Sequence, residues 1–354
     1  MEKILSVIIP TYNMENYLKN GLDSLLISKN LELLEVIIVN DGSRDNSSKI
    51  AHEYANKYPG VFVVVDKSNG NYGSCINVGL KIATGKYVKI LDADDSYITE
   101  NFEIFVNRLL TIDADLVFSD YIKSFTSGKV IEYNLDLPVD KLCRIDDVYQ
   151  TQAFYNIQLP AITYRTELLK RMNYHQTEGI SYTDTEWVFS PITQVKTVYY
   201  INVCVYRYLM GREGQTMDPN VMKKAMPQKL KCFSDLLRST DGLELSDIMK
   251  IFTSEQLAKH AFYIYEFYLI LNPGQDRSEL RTFDYELKTF NLMAYRKCEE
   301  YQYRLHIPYF FIKEWRDNNI DDIPTYIRIL GKILDVLGLI RVKLFVRSRL
   351  NESI

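Results

Sequence analysis

The 354-residue sequence lacks several features that would each indicate a particular class of protein. Its five cysteines are widely spaced and form no C-x-x-C pair, which argues against a disulfide framework and a zinc site and favours a reducing cytoplasm. No run reaches the ~18 apolar residues of a membrane span, and we expect no signal peptide at the N-terminus. The formal net charge of -4 also excludes the basic surplus of a nucleic-acid-binding protein.

Short β-branched runs alternate with amphipathic segments over the first 210 residues or so. This alternation predicts an α/β fold with a mostly parallel sheet flanked by helices. Beyond Asp218 and Pro219 the sequence has helical periodicity and almost no strand signal. We therefore predict a catalytic domain over residues 1–218 and a helical domain over residues 219–354. The predicted strands are Leu5–Ile9, Val36–Val39, Val61–Val65, Tyr87–Leu91 and Leu116–Ser119.

The predicted helical domain ends in a basic amphipathic helix over residues 326–350. Apolar residues at helical spacing are interleaved there with Lys and Arg, opposed by the single acid Asp335. Such a helix can lie on an anionic membrane surface, or it can dock on the body of the protein. Peripheral contact with the inner face of the cell membrane and a homo-oligomer both stay open. The basic residues are Arg328, Lys332, Arg341, Lys343, Arg347 and Arg349.

Three carboxylates follow the fourth predicted strand within four positions, namely Asp92, Asp94 and Asp95. In an open α/β sheet, ligands bind beyond the carboxyl ends of the strands. Because like charges so close together repel one another, a hard divalent cation that also bridges to diphosphate oxygens is their natural partner. We therefore predict that Asp92 and Asp94 are metal ligands. The alternative is a solvated turn or a helix cap.

Other predicted strand ends carry residues that suit a nucleotide. Asp41 follows the second strand, where it can accept a hydrogen bond from a pyrimidine N–H or, alternatively, only organise a turn with Gly42 and Ser43. Tyr12 follows the first strand and can stack on a nucleobase. Residues 69–77 combine glycines with a helix start, whose N–H groups suit a phosphate or sugar hydroxyls.

Four motifs, in this order and spacing, resemble the family 2 glycosyltransferases of the GT-A fold: IIPTYN, VNDGSRDNS, NGNYGSCINVGL and KILDADD. The likeness covers about residues 3–216. It implies a Rossmann-like GT-A domain in which Asp41 contacts the uracil of a UDP-sugar, and Asp92 and Asp94 hold the nucleotide and Mn²⁺ or Mg²⁺. The donor-binding residues that we assign within these motifs are Pro10, Tyr12, Asp41, Asn69, Gly73, Asn77, Asp92 and Ala93.

The same family carries an acidic pair, commonly Glu-Asp, at the start of a helix that follows the sheet. The matching residues here are Thr183 and Asp184, so the resemblance implies that Asp184 is the catalytic base. Inversion at the anomeric carbon needs one carboxylate that takes the proton of the incoming hydroxyl. We expect Glu186, two residues further along the helix, to point elsewhere.

Residues 206–216 resemble the flexible basic loop that closes over the diphosphate in this family. Arg212 would neutralise charge on the leaving UDP, and we assign Gln215 to the donor site as well. The sequence thus predicts a metal-dependent hexosyl or N-acetylhexosaminyl transferase. Its acceptor would be a glycan or a polyprenol-linked sugar, in the synthesis of a capsule or another cell-surface polysaccharide.

Two alternative functions stay open. A sugar-nucleotide nucleotidyltransferase would also combine an α/β fold with metal-binding carboxylates. The segment Ser6–Tyr12 lacks the glycine and arginine that such an enzyme uses for a triphosphate. A catalytically silent GT-A scaffold protein is suggested by Thr183, but the presence of Asp92, Asp94 and Asp184 argues against it.

Overall fold

Runs of Val, Ile and Leu form the central strands of a mixed sheet, because strands that are covered on both faces need apolar side chains on both faces. Nearly every residue of β1 (Leu5–Thr11) and β2 (Leu34–Asn40) is buried. The computed structural model describes residues 2–212, 225–272, 276–303, 307–320, 322–330 and 333. The chain divides into two units, Met1–Met249 and Lys250–Ile354.

The first unit contains the sheet and the helices that flank it. The other strands are β3 (Phe62–Asp66), β4 (Tyr87–Ile90), β5 (Ser96–Tyr97), β6 (Leu116–Phe125), β7 (Val130–Tyr133), β8 (Leu142–Arg144), β9 (Ile162–Arg165) and β10 (Thr197–Met210). The helices are α1 (Leu18–Asp23), α2 (Ser47–Lys57), α3 (Asn71–Ile82), α4 (Thr99–Leu109), α5 (Ile145–Val148), α6 (Gln152–Tyr155), α7 (Thr166–Arg171), α8 (Asp184–Phe189) and α9 (Met226–Ser239).

The strand order is β3-β2-β1-β4-β9-β6-β10-β5, with β7 and β8 paired at the side of β6 and β10. The first four of these strands are parallel, whereas β9 is antiparallel to both of its neighbours, β4 and β6. Strands β6 and β10 are again parallel. The predicted α/β class is confirmed, and the insertion of β9 makes the second half of the sheet mixed.

The register of the parallel strands brings their carboxyl ends to one edge of the sheet. Thr11 is paired with Asn40, and Ile8 is paired with Ile90. The residues that follow β1, β2 and β4 therefore emerge side by side. Helix α3 packs against β1 at Gly79, where a Cβ atom would lie 2.6 Å from Cγ2 of Ile8. This close approach sets the position of α3 beside the same edge.

The second unit is helical in the residues that the structure describes. It contains most of α10 (Asp247–Glu266), a π-helical turn (Phe267–Leu271), α11 (Ser278–Phe290), α12 (Leu292–Cys298) and α13 (Phe311–Asn318). Within the described parts of the chain, none of the helices is both long enough and apolar enough to cross a membrane.

Two predictions about domain organisation concern residues outside the described ranges. The predicted boundary at residue 218 lies in such a gap, and α9, which follows it, belongs to the first unit. The predicted basic helix over residues 326–350 is described only at residues 326–330 and 333. The functions predicted for the helical domain therefore stay predictions.

A buried arginine organises the core of the second unit. Nε of Arg316 donates to Asp284 Oδ1 over 2.8 Å, and Nη2 donates to the hydroxyl of Tyr265 over 2.9 Å. Its guanidinium also lies 3.5 Å from the ring centroid of Tyr295 and forms an ion pair with Glu299 over 3.3 Å. Only 5% of the Arg316 side chain is exposed. Asp284 is half-buried, and removal of the Arg316 cation would leave its carboxylate without a partner of opposite charge.

We predict that Arg316→Gln lowers the free energy of unfolding of the second unit by about 3–5 kcal/mol, the usual cost of breaking a buried ion pair. Chemical denaturation of the whole chain, followed by circular dichroism, measures this change. The control is Lys313→Gln on the same helix, because Lys313 pairs with Asp317 and about half of each side chain is exposed. The control should change the free energy by ~1 kcal/mol or less. Equal effects of the two substitutions would contradict the prediction.

Candidate active site

A cavity of about 300 Å³ opens at the carboxyl edge of the parallel strands. Its walls come from the ends of β1, β2 and β4, from the start of α3, from the segment before α8 and from the end of β10. Ligands bind at this edge of open α/β sheets, so the cavity is the candidate active site. Its lining residues are Pro10, Thr11, Tyr12, Met14, Asp41, Asn69, Asn71, Tyr72, Cys75, Asp92, Ala93, Asp94, Ser181, Tyr182, Thr183, Asp184, Tyr208 and Arg212.

The three acids after β4 do not share one environment. Asp92 and Asp94 line the cavity, whereas Asp95 is buried away from it. Asp95 Oδ2 accepts a hydrogen bond from the hydroxyl of Tyr206, and Oδ1 accepts one from the backbone N–H of Leu209, each over 2.7 Å. Asp95 therefore fastens β10 to the end of β4. Asp92 and Asp94, which lie two positions apart in the sequence, are left to contact a ligand in the cavity.

Negative charge is concentrated where Asp92 and Asp94 meet the cavity. The hydroxyl of Tyr72 donates to Asp92 Oδ1 over 2.8 Å. Burial and, after it, the charge of Asp94 raise the pKa of Asp92. The guanidinium of Arg212 forms an ion pair with Asp94 and lies 5.5 Å from the ring centroid of Tyr17. One guanidinium between two carboxylates leaves an excess of negative charge, which favours the binding of a cation.

Asp41 is buried and lines the same cavity. Its Oδ1 accepts hydrogen bonds from Lys67 Nζ over 2.6 Å and from the backbone N–H of Gly70 over 2.9 Å. The turn after β2 is organised by Asn40 instead, because Asn40 Oδ1 accepts from the N–H of Ser43 over 3.2 Å. The alternative in which Asp41 only organises this turn is therefore not supported.

Asp184 is the first residue of α8 and is exposed to the interior of the cavity. The cavity walls surround it and limit its solvation, which raises the pKa of Asp184. A hydrogen bond from the backbone N–H of Thr185 and the positive charge of Lys229 oppose this shift. A carboxylate with a raised pKa is a stronger base than an ordinary aspartate.

Two residues near Asp184, Thr183 and Glu186, are buried in the protein interior. The side chain of Thr183 is buried, and its Oγ1 has no hydrogen-bond partner in the described structure. Glu186 is buried as well, with Oε2 accepting from the N–H of Thr177 over 2.7 Å and Oε1 lying 3.4 Å from Cys232 Sγ. Among the acids of α8, Asp184 alone lines the cavity.

Two residues that the sequence assigned to donor binding, Gly73 and Asn77, are not among the residues that line the cavity. A Cβ atom at Gly73 would lie 2.1 Å from the carbonyl oxygen of Thr177, so glycine is required for close packing at this position. The side-chain amide of Asn77 donates to Glu178 Oε1 over 2.8 Å and fixes the chain there. Gln215 lies outside the described residues.

Several cavity residues were not identified from the sequence. The most prominent are three aromatic residues, Tyr72, Tyr182 and Tyr208. The abundance of tyrosine, 27 in the chain, was a signal, but it did not distinguish these three from the others. Lys67 and Lys229, which act on Asp41 and Asp184, were also missed, because neither belongs to one of the recognised motifs.

The sequence around the cavity matches a known family. Residues 6–172 match the profile of the family described as "Glycosyl transferase family 2". Over this segment the chain is similar to the family 2 glycosyltransferases. The matched segment contains Asp41, Asp92 and Asp94, whereas Asp184 and Arg212 lie beyond its end.

Known proteins resemble this chain over different parts of their lengths. GgaB, a minor teichoic acid biosynthesis protein of Bacillus subtilis (strain 168), is 30% identical over 212 residues. That alignment covers 60% of this chain but only 23% of GgaB. EpsJ, an uncharacterized glycosyltransferase of the same organism, is 27% identical over 238 residues, which cover 65% of this chain and 67% of EpsJ.

A solved structure shows the same fold. The crystal structure of S. aureus TarS 1-349 in complex with UDP-GlcNAc aligns with a TM-score of 0.66 at 20% sequence identity. The alignment covers 82% of this chain and 81% of that one. The predicted glycosyltransferase fold is therefore confirmed.

Proposed function

We propose that this protein is a glycosyltransferase that moves a sugar from a UDP-sugar to an acceptor hydroxyl with inversion at the anomeric carbon. The observation that carries the proposal is the convergence of Asp41, Asp92, Asp94 and Asp184 on one cavity. These four acids come from three separate segments of the chain, and together they would serve the nucleobase, the cation-bound diphosphate and the attacking hydroxyl. Neither nucleotidyl transfer nor a silent scaffold role requires a carboxylate at position 184.

The nucleoside would bind at the end of the cavity formed by Asp41 and Tyr12. Because Lys67 and Gly70 both bond to Oδ1 of Asp41, Oδ2 is the oxygen that would accept from the uracil N–H. The ring of Tyr12 is 42% exposed beside it and can stack on the base. Pro10 and Asn69 line the same end. The complex of TarS with UDP-GlcNAc supports a UDP-sugar as the donor.

Asp92 and Asp94 would hold Mn²⁺ or Mg²⁺ together with the diphosphate. In the described residues no group of three or more His, Cys, Asp and Glu side chains could hold a metal ion. Two carboxylates still fit, because Mg²⁺ is commonly bound by one or two carboxylates while phosphate and water oxygens complete its shell. When bound, the cation supplies charge neutralisation for the departing diphosphate. Arg212 adds a further positive charge on this side of the cavity.

Asp184 would act as the general base. It takes the proton of the acceptor hydroxyl while the acceptor oxygen forms its bond to the anomeric carbon. The bond between that carbon and the diphosphate oxygen breaks on the opposite face, and UDP leaves with the electron pair. Ser181 and Tyr182 line the cavity beside Asp184 and would therefore contact the acceptor.

The substrates and the setting are part of the proposal. The name of GgaB supports a role in cell-surface polysaccharide synthesis. The proposed acceptor is a glycan or a polyprenol-linked sugar, and the proposed donor carries a hexosyl or N-acetylhexosaminyl group. All five cysteines are free thiols, as expected in the cytoplasm. Peripheral membrane contact and homo-oligomer formation remain proposals for residues 219–354.

We predict that Asp184→Asn abolishes transfer but leaves UDP affinity nearly unchanged. The rate should fall on the order of 10²- to 10⁴-fold, the contribution of a general base. UDP release from a panel of UDP-sugars measures turnover, and calorimetry measures UDP affinity. Asp147→Asn is the matched control, because Asp147 is exposed on α5 and outside the cavity lining. Turnover of the Asp184→Asn protein near the wild-type rate would exclude Asp184 as the base.

We predict that Asp94→Ala removes the dependence of UDP binding on Mn²⁺. Loss of a metal ligand should weaken metal affinity at least as much as loss of an outer-shell partner, which costs about 10- to 100-fold. Calorimetry with UDP, with Mn²⁺ and with a chelator, is the measurement. The wild-type protein under both conditions is the reference. If UDP binds both proteins with the same Mn²⁺ dependence, Asp94 does not hold the cation.

We predict an acidic limb in the pH profile of kcat that lies above the ordinary aspartate pKa of 3.8. Only ionised Asp184 can accept a proton, and its raised pKa means that ionisation is complete at high pH and lost as the pH falls. The measurement is turnover at saturating donor, with UDP affinity followed over the same pH range. A value of kcat that stays constant as the pH falls to about 4 would contradict the assignment.

A further inference from the structure

Helix α9, which the sequence assigned to the helical domain, is attached to the segment that carries the proposed base. The backbone N–H of Ser181 donates to Gln228 Oε1 over 2.8 Å. One turn further along α9, Cys232 Sγ lies 3.6 Å from the carbonyl oxygen of Tyr182 and 3.4 Å from Glu186 Oε1. Residues one turn apart lie on one face of a helix, so one face of α9 contacts residues 181–186.

Tyr182 needs such support, because its backbone has the left-handed conformation, with φ at 68°. This conformation is unfavourable for a residue with a bulky side chain and persists only where the surroundings impose it. Lys229, the neighbour of Gln228 on α9, places Nζ 4.5 Å from the centroid of the Tyr182 ring. An ammonium over an aromatic face is attractive, so Lys229 stabilises Tyr182 in this conformation.

The charge of Lys229 also acts on Asp184. The ammonium lowers the pKa of Asp184, and Asp184 in turn opposes the effect of burial on the pKa of Lys229. In the described part of the chain, no carboxylate oxygen lies within 4.0 Å of Lys229 Nζ, so Lys229 forms no direct ion pair there. Lys229 is half-buried, and its described interactions include the Tyr182 ring and the charges of Asp184 and Cys232.

We propose that Lys229 is a positioning residue for Asp184, which it orients by holding the segment 181–184 through the Tyr182 ring. The inference rests on the proposed function, since it assigns Lys229 a part in the same transfer. It also makes α9 a part of the catalytic apparatus. None of the residues that line the cavity, Asp41 and Tyr12 among them, belongs to α9.

The test uses three single variants of the whole chain: Lys229→Met, Lys229→Arg and, as the matched control, Lys231→Met. Lys231 lies on the same helix, and its side chain is 57% exposed and pairs with Asp235 over 3.8 Å. We expect Lys229→Met to lower kcat roughly tenfold, a part of what a general base contributes, with KM for the UDP-sugar within about twofold. Lys229→Arg should recover most of kcat, and Lys231→Met should match the wild type.

A double variant separates positioning of Asp184 from a general effect on folding. In the Asp184→Asn background the further change Lys229→Met should have almost no effect on the residual rate, because the group that Lys229 positions is gone. A full additional tenfold loss would overturn the inference. So would wild-type kcat in Lys229→Met, equal losses in Lys229→Met and Lys231→Met, or a change in KM alone. Should Lys229→Met fail to fold, failure of Lys229→Arg to retain kcat with unchanged UDP affinity would overturn it.

Failure of the inference can be distinguished from failure of the proposed function. If the wild-type protein releases no UDP from any UDP-sugar with Mn²⁺ and a broad acceptor panel, the transferase proposal fails, and the inference fails with it. If the wild type turns over, Asp184→Asn does not, and Lys229→Met matches the wild type, the transferase proposal stands and only the role of Lys229 is wrong.

Discussion

The concentration of negative charge at one edge of the sheet is the constraint on which the rest of the site depends. Parallel strands deliver their following residues to a common edge, so acids placed after several strands necessarily meet there. Such a group of carboxylates destabilises the fold unless each acid interacts with a compensating group. In this protein each compensating group comes from another segment of the chain. The interacting pairs are Asp41 with Lys67, Asp92 with Tyr72, Asp94 with Arg212, and Asp184 with Lys229.

Long-range tertiary structure supplies these partners at specific positions. Strand β10 is held at the end of β4 by the buried Asp95, and this attachment brings Tyr208 and Arg212 to the cavity. Close packing of α3 on β1 at Gly79 brings Tyr72 to Asp92. The same interactions that complete the core therefore also reduce the repulsion among the carboxylates, which couples the stability of the first unit to the geometry of its cavity.

The sequence predicted the part of the site that depends on local pattern. Strand ends are recognisable from apolar runs that stop at acids, so the sequence alone assigns Asp41, Asp92 and Asp94 to one edge of the sheet. Tyr72 lies in the first turn of α3, which begins at Asn71, and the sequence did not predict that its hydroxyl reaches Asp92. The antiparallel β9 and the contact of Lys229 with Tyr182 depend on tertiary packing, which no local pattern encodes.

The compensating cations lie at different distances from the carboxylates that they stabilise. This difference suits the chemistry proposed for Asp41 and for Asp184. Lys67 contacts Asp41 directly over 2.6 Å, and a firm ion pair is appropriate where a carboxylate only recognises a ligand. A direct ion pair at Asp184 would depress the pKa of that carboxylate and weaken it as a base. A cation held at a distance, over the ring of Tyr182, instead favours the ionised form while the carboxylate keeps a raised pKa. The separation of Lys229 from Asp184 is therefore what a base at this position requires.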